Sequence, residues 1–128
     1  MGLDMYLERK SKNEKPDTFG VWEQVMYWRK ANQIREWFAS HLENGVENCY
    51  YSYVSKEDLE NLIEDCETVL ADHSKAVELL PTSSGFFFGS TEYDEWYFDD
   101  LKETVEKLKE VISETDWDNQ DVAYYEWW

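Results

Sequence analysis

Alternating apolar and polar residues open the chain and predict a β-strand near residues 2–8. Leu3, Met5 and Leu7 would lie on one side of this strand, which gives it one buried face. Two further segments rich in strand-forming residues complete the predicted sheet, near 49–54 and 121–128. We expect the first and last of these strands to be neighbours.

Three segments repeat apolar residues every three or four positions, which predicts helices with one buried face. They cover about 19–43, 56–72 and 92–113. Ser55 and Asp58 are placed to cap the second helix reciprocally, and Thr91 and Asp94 are placed to do the same for the third.

Together these elements predict an α+β fold, in which a small, mainly antiparallel sheet packs against three main helices. The 128 residues are enough for one core, so we expect a single domain over 1–128. The polar, lysine-rich segment 9–17 is predicted to be a flexible connector within it.

A glycine-bounded run of phenylalanines precedes the third helix. Gly85 and Gly89 bracket Phe86, Phe87 and Phe88, and successive side chains of an extended chain point to opposite sides. The three rings therefore cannot all enter one core. Two interpretations stay open: a loop plug that covers a helix end, or a contact surface.

Charge is the strongest compositional signal, with 29 acidic and 12 basic side chains and a net charge of −17. Residues 1–45 carry seven acids and seven bases, 46–91 carry nine and two, and 92–128 carry thirteen and three. Such a surface repels nucleic-acid phosphates and attracts basic proteins. We expect a basic protein partner and no direct nucleic-acid binding, although acids that only maintain solubility would give the same count.

The candidate phosphate, calcium and zinc motifs lack the residues or the spacing that such sites require. Residues 83–91 lack the lysine of a phosphate loop, and the aspartates of 116–121 lack the glycine and the final glutamate of a calcium loop. His41, His73, Cys49 and Cys66 do not show zinc-ligand spacing. We expect no metal and no cofactor, and we favour a non-enzymatic protein.

A candidate binding surface combines rigid aromatic rings with hydrogen-bonding groups on the first helix and around the phenylalanine loop. Such a mixture suits a ligand site or a protein hot spot, and it equally suits a polar network that locks the helix to the loop. Its members are Trp28, Arg29, Asn32, Phe86, Phe87, Phe88, Ser90, Glu92, Tyr93, Asp94, Trp96 and Tyr97.

The ends of the chain bear on location and assembly. No apolar run approaches the ~20 residues of a membrane helix, and Asp4 and Glu8 interrupt the first segment, which argues against a signal peptide. We expect a cytoplasmic protein that does not bind membranes. The aromatic tail 121–128 is expected to dock on the sheet or, as a homodimer contact, on a second subunit.

Four segments resemble an uncharacterised family of small proteins from bacteriophages, prophages and bacterial genomes. The resemblance rests on MGLDMYL at the start, YWRKANQIREWF, the 49–70 unit and LPTSSGFFFGSTEYDEWYF. No activity is attached to this family, so the resemblance implies a mobile-element setting and no catalytic residues. The short connector and the very acidic end depart from the family pattern.

Three functional hypotheses follow. The first is an acidic phage-type protein that binds a macromolecular partner, such as a host nucleic-acid-binding or defence protein inhibited by charge mimicry. The second is a small-ligand binder or enzyme with a pocket between the first helix and the FFFG loop. The third is a self-associating structural protein.

Overall fold

A computed structural model of the protein describes residues 2–84 and 89–128. The strands are β1 (Asp4–Ser11), β2 (Glu23–Arg29), β3 (Ser52–Val54) and β4 (Gln120–Trp127). The helices are α1 (Asn32–His41), α2 (Lys56–Ala71), α3 (Ala76–Leu79) and α4 (Glu95–Glu114), and a 3-10 turn covers His73–Lys75. The α+β class is confirmed.

The four strands form one antiparallel sheet in the order β2-β1-β4-β3. The first and last strands are therefore neighbours at its centre, as expected. The register places Tyr6 of β1 between Tyr27 of β2 and Tyr125 of β4. Because directly opposed residues in an antiparallel sheet share a face, these three tyrosines lie on the same side.

In the part of the chain that the structure describes, the helices cover the opposite side of the sheet. Leu3, Met5 and Leu7 on this inner face are fully buried. Phe38 of α1 stacks on Tyr124 of β4, with ring centroids 4.4 Å apart. The outer face, without a helix over it, is where the strands place their partly exposed aromatic side chains.

The helix predicted over 19–43 is wrong in its first half. Strand β2 occupies Glu23–Arg29, and α1 begins only at Asn32. Leu7 pairs with Met26 and Glu8 pairs with Gln24, so Val25 is the extra residue of a β-bulge. The bulge breaks the alternation that would otherwise have revealed a strand.

One of the two predicted helix caps forms as expected, and the other lies at a different residue. Ser55 and Asp58 form the predicted capping box on α2, with bonds of 3.0 and 2.9 Å. The cap of α4 is Asp94, which accepts a hydrogen bond from the Tyr97 N–H at 3.1 Å. Thr91 as the cap was wrong, and α4 accordingly begins at Glu95 instead of residue 92.

The connector predicted over 9–17 begins as strand, because β1 continues to Ser11. Arg9 and Lys10 are buried. Arg9 Nη1 donates to Thr115 Oγ1 at 3.0 Å, and Lys10 Nζ lies 3.2 Å from Asp121 Oδ2. These contacts join β1 to the end of α4 and to β4.

A buried ion pair fastens α1 to β4. Glu126 is fully buried, and Arg35 Nε donates to its Oε1 at 3.1 Å. Tyr124 Oη and Trp128 Nε1 donate to the same carboxylate at 2.8 and 2.7 Å. Asn48 adds two hydrogen bonds to the Trp128 main chain, so the tail docks on its own sheet.

Candidate binding cleft

A tight turn between β2 and α1 forms one wall of a cleft. Lys30 has a left-handed backbone (φ 55°), and its N–H donates to the Leu3 carbonyl at 2.7 Å. Ala31 (φ −81°, ψ 72°) is the centre of an inverse γ-turn, which the Asn32 N–H closes by donating to the Lys30 carbonyl at 3.0 Å. The turn ends β2 and starts α1 within two residues.

Asn32 joins this wall to the opposite one. Its side chain is buried; Nδ2 donates to the Ser90 carbonyl at 2.8 Å, and Oδ1 accepts from the Ser83 N–H at 2.9 Å. One side chain therefore holds the backbone on both sides of residues 84–89. This geometry agrees with the alternative interpretation of the candidate residues as a polar network that locks the helix to the loop.

Two tyrosines fix the segment that leads into α4. Tyr97 is buried, and its hydroxyl donates to the Leu80 carbonyl at 2.7 Å. The Tyr93 hydroxyl accepts from the Thr82 N–H at 3.1 Å, and the two rings lie 5.0 Å apart. These bonds position the first turn of α4 across from the start of α1.

Between the two walls lies a cavity of about 460 Å³. Its lining includes many of the candidate residues named from the sequence, and the structure brings these into one place: Arg29, Asn32, Ser90, Glu92, Asp94, Trp96 and Tyr97. The remaining lining residues were not named from the sequence: Lys30, Gln33, Gly89, Asp99, Asp100 and Glu103.

Other candidate residues lie outside the cavity. Trp28 is buried in the core, where its Nε1 donates to Thr104 Oγ1 at 2.8 Å. Tyr93 does not line the cavity but supports the segment beside it. The predictions for Phe86, Phe87 and Phe88 fall outside the residues that the structure describes.

Three acidic residues of the cleft were not predicted, although their helical spacing from Trp96 could have identified them. Asp99, Asp100 and Glu103 come three, four and seven residues after Trp96, so they share its face of α4. Choosing Trp96 as a site residue and continuing along the helix would have found them. Lys30 and Gly89 carried no such signal, because their contact is made across the fold.

Negative charge dominates the cleft. The acids that line it are Glu92, Asp94, Asp99, Asp100 and Glu103. The bases that line it are Arg29 and Lys30. Arg29 also lies 3.4 Å from Asp4, which is outside the cavity.

Asp100 has a raised pKa in this cleft. Burial is the largest cause that raises its pKa to about 6; a hydrogen bond from Gln33 opposes it, and the nearby carboxylates of Glu103, Asp99 and Asp94 add smaller upward shifts. A cation placed beside Asp100 would relieve both the desolvation and the repulsion.

Trp96 gives the acidic cleft an apolar rim. This side chain in the first turn of α4 is 74% exposed, so its ring is available to a partner. Carboxylates beside an exposed indole form a suitable surface for a lysine or arginine side chain, which gains Coulombic and cation–π attraction together.

The described residues contain neither a metal-binding cluster nor a membrane-spanning helix. Within residues 2–84 and 89–128, no three His, Cys, Asp or Glu side chains are grouped so that they could hold a metal ion. In the same ranges, no helix has the length and apolar character needed to cross a membrane.

Comparison with known proteins gave no match among family models, curated proteins or solved structures.

Proposed function

We propose that this protein binds a basic protein partner through the cleft between the start of α1 and the first turns of α4. The observation that supports the proposal most is the half-buried Asp100 with its raised pKa, set among further carboxylates beside the exposed Trp96. A lysine or arginine from a partner would neutralise this cluster and stack on the indole.

The charge distribution supports the same type of partner. Residues 92–128, which include α4, carry thirteen acids and three bases. Long-range attraction by such a surface speeds the encounter with a basic protein, and it weakens as salt is added. Inhibition of a host nucleic-acid-binding protein by charge mimicry, in a phage or prophage setting, is the finer form of this proposal.

A labelled oligo-arginine peptide tests the cleft by fluorescence anisotropy. We expect binding that weakens on going from about 0.05 M to about 0.5 M NaCl, and that tightens as the pH rises through 6, because Asp100 becomes charged. Trp96→Ala should weaken binding about tenfold, since it removes the ring that anchors the cation.

A matched pair of double variants separates the cleft from general electrostatics. Asp99→Asn/Asp100→Asn removes two charges inside the cleft, and Glu60→Gln/Glu64→Gln removes two exposed charges on α2. We expect only the first pair to weaken binding strongly and to abolish the pH dependence near 6. Equal losses for both pairs would contradict binding at the cleft.

A small cationic ligand is the second candidate, because a cavity of about 460 Å³ falls within the ~300–1,000 Å³ of small-molecule sites. Isothermal titration calorimetry with arginine amide and with the peptide distinguishes the two. Equal affinities would favour the small ligand, whereas a much tighter peptide would favour a protein partner.

A further inference from the structure

The outer face of the sheet carries a row of aromatic rings that the cleft does not use. Ring centroids lie 4.3 Å apart for Trp22 and Tyr51, 4.8 Å for Tyr51 and Tyr125, 6.2 Å for Tyr125 and Tyr6, and 5.3 Å for Tyr6 and Tyr27. We call these five rings, with Tyr53 and Trp127 beside them, the aromatic sheet face.

The rings are held in place and yet partly open to solvent. Trp22 Nε1 donates to the Pro16 carbonyl at 2.8 Å, and the Tyr27 hydroxyl donates to Asp4 at 2.5 Å. Trp127 is 62% exposed and Tyr53 is 50% exposed. Rigid rings of this kind lose little conformational entropy when a partner covers them.

Most charges on this face are already paired within the chain. Asp4 lies 3.4 Å from Arg29 at one end of β1, and Asp121 lies 3.2 Å from Lys10 and 3.5 Å from Lys12 at the other. Glu8, between them, is the exception, because its Oε2 is buried and has no hydrogen-bond partner among the residues that the structure describes. The face therefore presents rings and balanced pairs, in contrast to the excess of carboxylates at the cleft.

We infer that the aromatic sheet face binds a second copy of this chain. Two molecules of charge −17 repel each other least where their charges are balanced, and face-to-face contact of the sheets keeps the acidic helix layers on opposite outer sides. A highly basic partner finds few unpaired carboxylate oxygens here, since Asp4 and Asp121 are paired and Glu8 Oε2 is buried, whereas another aromatic, balanced surface meets little charge penalty.

The positions of the ion pairs fit a two-fold axis. Asp4 and Lys10 are six residues apart on β1, which is about 20 Å along a strand. An axis between them would place the Asp4–Arg29 pair of one molecule against the Lys10–Asp121 pair of the other. Asp121 of one molecule could then approach Arg29 of the other, and Asp4 could approach Lys12, whose side chain is 47% exposed where that of Lys10 is 3% exposed.

The available area predicts a reversible dimer. At the 150–250 Å² of a fully buried aromatic side chain, the exposed fractions of these rings amount to on the order of 500 Å². That lies within the ~300–600 Å² of the largest patch on a typical monomer, which is often functional, and below the ~800 Å² per partner of a standard interface. The dimer should therefore depend on protein concentration.

Sedimentation equilibrium of the full chain tests this inference through its salt dependence. Screening weakens the repulsion between two acidic molecules, so we expect the dimer to become at least about tenfold tighter between about 0.05 M and about 0.5 M NaCl. A protein that stays monomeric at about 1 mM in high salt would overturn the inference.

Two exposed tryptophans supply a matched pair of variants. Trp127→Ala should weaken the dimer about tenfold, as should Tyr53→Ala, whereas Trp96→Ala on the opposite side should leave it unchanged. Circular dichroism establishes that each variant is folded. A dimer that survives both sheet-face variants, or that Trp96→Ala disrupts equally, would place the contact elsewhere and refute the inference.

Discussion

The cleft and the aromatic sheet face each present an exposed tryptophan, but in opposite surroundings. Trp96 is 74% exposed and shares its cleft with carboxylates, of which Asp100 has a raised pKa. Trp127 is 62% exposed and lies beside a row of tyrosines, near charges that are mostly paired. The exposed ring is the same, and its neighbours determine which partner it suits.

Binding at the two surfaces should depend on salt in opposite ways. Added salt weakens attraction between the cleft and a basic peptide, and it reduces repulsion between two copies that meet at the sheet. A single titration with salt should therefore move the two affinities in opposite directions.

The largest expected effect comes from breaking the buried ion pair that supports both surfaces. Arg35 and Glu126 join α1, which forms one wall of the cleft, to β4, which carries Trp127. Arg35→Leu leaves the fully buried Glu126 without its cation and should lower the free energy of unfolding by about 3–5 kcal/mol. Urea denaturation followed by circular dichroism measures this change.

An exposed ion pair provides the control. Arg29→Leu breaks the 3.4 Å pair with Asp4, in which the Arg29 side chain is 57% exposed, so it should cost no more than about 1 kcal/mol. Losses of similar size for the two variants would show that burial of Glu126 does not govern stability here.

A smaller effect is expected from filling the contact between the two walls of the cleft. Gly89 has φ 82°, and a Cβ there would lie 3.0 Å from Lys30 Cβ and 3.2 Å from the Lys30 carbonyl oxygen. Gly89→Ala should cost about 1–2 kcal/mol of stability through backbone strain and weaken binding of the arginine peptide. Gly20→Ala, which has the same φ but open space around it, isolates the contribution of the contact.

Arg29 belongs to both surfaces, but Gly89 contacts Lys30 and is not part of the aromatic sheet face, so Gly89→Ala should not change the dimer. A loss of dimer equal to the loss of peptide binding would mean that the two surfaces are coupled.

The smallest expected effect has the opposite sign. Asp100 has a pKa of about 6 when folded, against 3.8 for a free side chain, so its ionisation destabilises the fold as the pH rises from 4 to 6. Asp100→Asn should therefore raise stability at pH 7 by about 1 kcal/mol, after allowance for the solvent that reaches it.

The pH dependence of unfolding checks the sign for Asp100. The advantage of Asp100→Asn should disappear below about pH 4, where the native carboxyl is neutral in both states. Asp4→Asn, on the paired sheet face, should instead give no gain. A gain for both variants would attribute the effect to net charge alone.

Local patterns predicted most of the fold. Alternation of Leu3, Met5 and Leu7 identified β1, and the Ser55–Asp58 pair identified the start of α2, because both signals lie within a few residues. Strand β2 was missed for two physical reasons. The bulge at Val25 interrupts its alternation, and the turn that ends it uses Lys30 in a left-handed conformation instead of a glycine.

The candidate site was predictable in part. Asn32 and Ser90 could be grouped because polar side chains next to apolar stripes need partners, and the two are hydrogen-bonded. The different roles of Trp28 and Arg29 could not be predicted without knowing that they lie on a strand, where neighbouring side chains point to opposite sides. Trp28 faces the core, whereas Arg29 lies on the outer side, where it pairs with Asp4 and lines the cavity.

The central position of β1 and β4 has a consequence for folding. Asp4 pairs with Trp127 and Ser11 with Gln120, so the middle of the sheet joins segments more than a hundred residues apart. Closing so long a loop is entropically slow, whereas the β1–β2 hairpin and the helices can form early. We expect the rings of Tyr6 and Tyr125 to meet only in the last cooperative step, so hydrogen exchange across the central strands should report global unfolding.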